Sequence, residues 1–210
     1  MKKFELKTEF ITNAFGKKLF RIKALIEFGN VKAGELGGFV EKEENLSHDG
    51  NAWVRENAVV CGNAWVRENA EVRGNAVVCG NAWVRENAVV CGNTEVRGNA
   101  EVCGNAWVCE NAEVRGNAEV RGNAVVCGNA EVRGNADYAC IKGFGTEFRH
   151  TTFYKTKEDG IGVKCGCFNG SLEQFREQVK ETRNGKIAKE YLMIADLMEY
   201  HFASEDSDNE

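Results

Sequence analysis

The sequence predicts a mainly β protein: a parallel β-helix solenoid of about five coils, flanked by an N-terminal β cap and a small C-terminal α+β module. Three observations carry this expectation. Fifteen consecutive six-residue units run from Gly50 to Ala139 without insertion, each fitting Gly/Glu-Asn-Ala/Thr-x-Val/Tyr-x. Within a unit, Ala and Val alternate with two variable positions, the period-two pattern of a strand with one buried face. Gly or Glu followed by Asn marks a corner every six residues, because Gly adopts positive φ freely and Asn more readily than most residues. Three corners close one coil, so a face repeats every eighteen residues.

The elements follow in chain order. Residues 1–49 form the β cap and an irregular first coil. Leu19, Arg21 and Lys23 alternate there with Phe20, Ile22 and Ala24. Val40 and Leu46 are six apart, like solenoid positions, whereas Leu46 to Val54 is eight, which places a two-residue bulge near His48. Residues 50–140 form the solenoid. Its open ends need covers to prevent end-to-end pairing. Residues 141–203 read as a hairpin from about Thr151 to Phe168, turning at Asp159-Gly160, then two helices. Ser171 is the expected cap of the first helix, with Leu172, Phe175 and Val179 on its buried stripe; Ile187, Tyr191, Ile194 and Met198 give the second helix a matching one. Ile161, Val163, Cys165 and Cys167 alternate onto the strand face that the helices cover. Residues 204–210, with Glu205, Asp206, Asp208 and Glu210, read as a disordered acidic tail.

Composition narrows the function classes. The chain has no proline, as stacked strands that donate and accept on both sides require. Nine cysteines without a signal-peptide pattern point to free thiols in a reducing cytoplasm. No apolar run reaches the roughly 20 residues of a membrane helix. The net charge is −5 and the repeat block is nearly balanced, with eight Arg against ten Glu and one Asp, which disfavours a nucleic-acid partner.

Outward residues sort into three columns. The first is the most apolar: Trp53 and Arg55, Glu71 and Arg73, then Val89 with Cys91, Trp107 with Cys109 and Val125 with Cys127. The second begins with Val59, Cys61, Val77 and Cys79 and ends in a ladder of Glu95, Glu113 and Glu131 beside Arg97, Arg115 and Arg133. The third stacks Trp65 and Trp83 with Arg67 and Arg85, a pattern suited to cation–π contact, before turning polar. An apolar strip of this kind is a binding surface for a subunit or partner, or a seat for the chain's own termini; the first is favoured. Every outward Trp is followed three residues later by Glu in place of Gly (Glu56, Glu68, Glu86, Glu110), a coupling with no account at the level of sequence. The column Cys91, Cys109, Cys127 invites a metal reading, but parallel thiols lack tetrahedral convergence, and small apolar filler is favoured; no metal or cofactor is expected. Arg149, His150, Thr152 and Tyr154 invite a small-ligand reading, with Arg149 as cation and the hydroxyls as donors, but the plainer reading of an exposed strand edge is favoured.

The repeat resembles the left-handed parallel β-helix of the hexapeptide-repeat family, whose aliphatic residue recurs every sixth position with a small residue two before it. The left hand is what the resemblance implies. The stretch LFRIKALIEFGNVKAG and the entry segment after it resemble bacterial and phage hexapeptide-repeat proteins labelled acyltransferases or polymer-forming proteins. GFGTEFRHTTFYKTKEDGIGVKCGCFNGSLEQFREQVKET is similar to modules attached to such repeats in phages of Gram-positive bacteria. These resemblances imply a phage setting and no established chemistry.

Hexapeptide acyltransferases use a histidine base in a cleft between subunits, commonly with a loop thrown out of the coil. The repeat block holds neither. His48, beside Asp49, is the one candidate base. The expected function is therefore a non-catalytic, cytoplasmic scaffold that binds a host protein, such as a defence factor, or a second copy of itself. Trimeric acyl transfer through His48 and structural self-assembly through Val89, Trp107 and Val125 are the alternatives.

Overall fold

In the computed structural model, which describes residues 1–203, the repeats wind into a parallel β-solenoid of about five turns with a small C-terminal α+β region. The acidic segment 204–210 lies outside the described residues. Each of the first fourteen units contributes one two-residue strand, from β4 (Trp53–Val54) to β17 (Glu131–Val132), and strands three apart pair in parallel and in register. Ala and Val of the repeats fill the interior: Ala58, Val60, Val84 and Val108 are inaccessible to solvent. The close packing of such small side chains leaves little room for anything larger. The fifteenth unit departs here. With Tyr138 where the other units have Val, it adds no rung; β18 (Tyr138–Phe144) leaves the solenoid, and the Tyr138 hydroxyl donates to Glu119 O at 2.6 Å.

The corners correct one expectation. The left-handed conformation falls on the first residue of the unit, Gly or Glu, and not on Asn; Glu68 has φ 63° and Glu110 φ 65°. Asn serves instead as a ladder. The Nδ2 of Asn51 donates to Oδ1 of Asn69, Asn69 to Asn87, Asn87 to Asn105 and Asn105 to Asn123, at 3.0–3.1 Å, and parallel ladders run along the other two corners. The outlying Glu residues also acquire a role. Glu56 Oε2 accepts from Gly74 N at 2.7 Å and Glu68 Oε2 from Glu86 N at 3.0 Å, so a corner carboxylate reaches one rung onward to an otherwise unpaired amide.

The two ends are chemically opposite. Backbone N–H groups donate to carbonyls one coil further on, as in Trp53 N to Ala70 O and Glu113 N to Ala130 O. The N-terminal end therefore presents carbonyls and the C-terminal end presents amides. Donors cover the first: Lys3 Nζ reaches Ala52 O (2.9 Å) and Gly50 O (3.3 Å), Arg21 reaches Glu56 O (3.0 Å), and Asn45 Nδ2 reaches Ala64 O (2.8 Å) and Gly62 O (3.1 Å). Acceptors cover the second: Thr152 Oγ1 takes Val125 N (3.0 Å), Asn135 Oδ1 takes Glu119 N (2.8 Å) and Asp137 Oδ2 takes Arg133 N (2.8 Å). Each cap thus matches the unpaired backbone groups it meets.

The cap itself is the hairpin β1 (Phe4–Thr12) and β2 (Lys18–Ala24), joined through β3 (Leu36–Val40) to the second solenoid face by parallel pairing of Phe39 with Val59. A bulge between Arg21 and Lys23 breaks the simple alternation, so Leu19, Ile22 and Ala24 are all buried. Leu46 bridges Val66 as an early rung of the third face. The C-terminal region is an antiparallel meander of β18, β19 (Arg149–Lys155), β20 (Ile161–Cys165) and β21 (Phe168–Ser171), followed by α1 (Leu172–Thr182) and α2 (Gly185–Phe202). Ser171 and Gln174 form a reciprocal capping box at α1. Phe153, Val163, Leu172, Phe175, Ala195 and Met198 form the region's own core, while Cys167 falls in the turn after β20 and is exposed. Among the described residues, no helix is long and apolar enough to cross a membrane.

Candidate functional site

The first face stacks Trp53, Glu71, Val89, Trp107 and Val125 in one column. Its apolar strip is covered at both ends by the chain itself. Trp53 is 1% exposed, held edge-on against Phe28 (ring centroids 5.3 Å) and Phe4 (6.3 Å). At the other end β19 lies over the last rung, where Thr152 takes Val125 N and the Tyr154 hydroxyl lies 3.4 Å from Cys127 Sγ. Trp53, Val125 and Cys127 thus serve internal packing rather than an outer surface. What stays accessible is the middle, with Val89, Cys91 and Cys109 half-buried and Trp107 44% exposed.

The third face keeps its aromatic pair partly open, with Trp65 half-buried and Trp83 exposed. Trp65 and Trp83 meet edge to face at 5.6 Å and 86°, and the Arg67 guanidinium sits 4.9 Å from both ring centroids. Trp83 is 40% exposed. Arg85 does not join the stack; its guanidinium pairs with Glu101 and Glu86, because the next rung offers a carboxylate where the previous one offered an indole. Beside the Trp pair, the irregular first coil stands off from the face and leaves a groove of about 720 Å³ lined by Lys42, Glu43, Glu44, His48, Asp49, Trp65 and Trp83.

His48 lies in this groove with both ring nitrogens engaged. Nδ1 accepts from Lys3 N at 3.1 Å, which places the proton on Nε2, 2.7 Å from Glu43 Oε1. Its ring stacks on Phe4 at 4.4 Å. Burial pushes the Glu43 carboxyl up, but the hydrogen bonds from His48 and Lys2 outweigh this and hold it below the usual range. A base with both nitrogens committed has no lone pair to offer a substrate hydroxyl. On the second face, Arg97 bridges Glu113 at 3.1 Å and Arg115 pairs with Glu131 on the following rung.

The four C-terminal candidates are not brought together. His150 terminates the Asn51–Asn123 ladder, its Nε2 lying 3.1 Å from Asn123 Nδ2, while Thr152 and Tyr154 bind the end of the solenoid. Arg149 instead lines a separate cavity of about 330 Å³ with Thr146, Cys165, Thr182, Arg183 and Tyr191. The cysteine column gains partners that the column alone lacks. Cys109, Glu110 and Cys127 bring three ligating atoms within 4.8 Å of one another, and Asn169 of β21 joins them. Hydrogen bonding to Cys109 lowers the thiols of Cys91 and Cys127, while the same bonds and burial raise that of Cys109.

No sequence pattern marks Lys3, Asn45 or Asn169, whereas the eighteen-residue recurrence of Asn does signal the ladders. No protein-family model matches the chain, and no curated protein matches it.

Proposed function

We propose that the protein is a non-catalytic binding scaffold whose third face, with the adjoining groove, grips a segment of a protein partner. The observation that carries this reading is the Trp65–Trp83 pair beside Arg67, with Trp83 exposed and Trp65 half-buried, next to a groove lined by Glu43, Glu44 and Asp49 against Lys42, the single cation among the described lining residues. Exposed Trp beside Arg is the composition of interface hot spots. The acidic rim favours a segment carrying Lys or Arg, which can also lie over the indole faces. With the resemblance to phage-associated repeat proteins, the partner is a host protein in the cytoplasm, and a defence component occluded by binding is the specific candidate. The engagement of both His48 nitrogens weighs against acyl transfer.

The test is native mass spectrometry of tagged protein recovered from host lysate, comparing the natural chain with Trp65→Ala/Trp83→Ala and with Trp107→Ala. A defined co-purifying protein that is lost from the first variant and retained by the second is the expected result. A chain that recovers no protein, or that gains mass with acyl-CoA and turns it over through His48, removes the reading.

A further inference from the structure

The junction between the first face and the C-terminal region gathers soft and hard donors at one point. Cys109 and Cys127 occupy the same column one rung apart, and Glu110 is the corner residue that follows Cys109. Its left-handed conformation (φ 65°) lets the side chain turn back along the corner, and its carboxylate lies within 4.8 Å of both thiols. The meander closes the group from above. Asn169 Oδ1 is 3.4 Å from Cys127 Sγ and 3.2 Å from the Tyr154 hydroxyl, and Asn169 Nδ2 is 3.5 Å from Glu110 Oε1. Cys127 is 1% exposed, whereas Glu110 is open to solvent, so the group has a dry floor and an entrance.

We propose that Cys109, Cys127 and Glu110 form a binding site for a thiophilic divalent d¹⁰ cation of the zinc class, with Asn169 Oδ1 as the fourth donor. Two thiolates select such an ion over magnesium or calcium, which take oxygen ligands. Tetrahedral zinc with bonds of about 2.3 Å to sulfur needs the two sulfurs roughly 3.8 Å apart. Atoms already within 4.8 Å reach that by small side-chain rotations. The parallel column by itself cannot converge, and the corner carboxylate and the meander's amide supply the missing directions. The ion would pin the C-terminal region to the last coils, since three ligands come from the solenoid and one from β21.

The probe is Co²⁺, titrated into the reduced, metal-free full chain, with Zn²⁺ as competitor. One equivalent is expected to bind with sulfur-to-cobalt charge-transfer absorption and tetrahedral visible bands, and Zn²⁺ should displace it. Cys109→Ser and Cys127→Ser should each weaken binding tenfold or more and diminish the charge-transfer band. Glu110→Gly restores the residue that most corners carry, so it preserves the fold and should weaken binding several-fold. Cys61→Ser/Cys79→Ser, on another face, should change nothing, and circular dichroism of every variant confirms folding. The proposal is overturned if no equivalent binds, if affinity and the band are undiminished by loss of either Cys109 or Cys127, if Glu110→Gly binds as the natural chain does, or if the second-face variant loses binding equally.

Discussion

Lys3 shows how one buried residue can couple the cap to pH. Its ammonium covers carbonyls of the first coil over the Phe28 ring, and burial lowers its pKa to about 8 against a raising effect from Asp49. Between that value and the free-lysine range the unfolded chain holds a proton that the folded chain has released, so stability contributed by this group rises with pH across the window. Thiols titrate there too, and the informative quantity is a difference. The stability gap between the natural chain and Lys3→Met, from urea melts at pH 7.5 and 10, should shift in favour of the natural chain as pH rises. Corner glycines make a second residue-scale test. A Cβ at Gly80 would stand 2.9 Å from the backbone of Gly98, whereas at Gly122 nothing lies within 4 Å. Both have positive φ, which costs an L residue about 1–2 kcal/mol. Gly80→Ala should therefore destabilise clearly more than Gly122→Ala in the same melts.

At the scale of the element, strand edges and ladders decide which pieces are indispensable. β19 closes the C-terminal end because Thr152 accepts the Val125 amide, which has no further coil to bond. Thr152→Val keeps the shape and removes the acceptor, and a buried unpaired amide costs about 1–3 kcal/mol. The variant should unfold at lower denaturant and show end-to-end association by light scattering. The Asn ladders are elements of another kind, running at right angles to the strands. Asn87→Ala breaks the longest of them in its middle, at two bonds. A loss of about 1–2 kcal/mol is expected from those bonds, larger than for Asn51→Ala at the ladder's end, which loses one.

For the whole molecule, the repeating coil makes length a separable variable. Deleting residues 86–103 removes one full coil while keeping Trp65, Trp83, Trp107 and Cys109 on their faces. The product should fold with the same circular dichroism and be shorter by one rung, about 4.8 Å, in small-angle scattering. Both caps are retained, so neither end is uncovered. If the third-face groove is the binding surface, this deletion leaves partner capture intact, because the groove lies at the N-terminal end.

The sequence by itself determined the solenoid, its three faces, the inward Ala and Val, the Ser171 cap of α1 and the buried stripes of α1 and α2. All of these are local or strictly periodic, and a period is visible in one dimension. It also located the Trp pair under Arg67. Tertiary structure alone decided what covers the faces. Trp53 reads like Trp107 in its own unit, yet one is buried by Phe4 and Phe28 from far along the chain and the other is open. Arg85 reads like Arg67, but its partner on the next rung is a carboxylate. The role of Lys3, the separation of Arg149 from Thr152, and the meeting of Cys127 with Asn169 all depend on where the two caps land. The physical reason is the polarity of the solenoid's ends, carbonyls at one and amides at the other, which becomes apparent only once the coils are stacked.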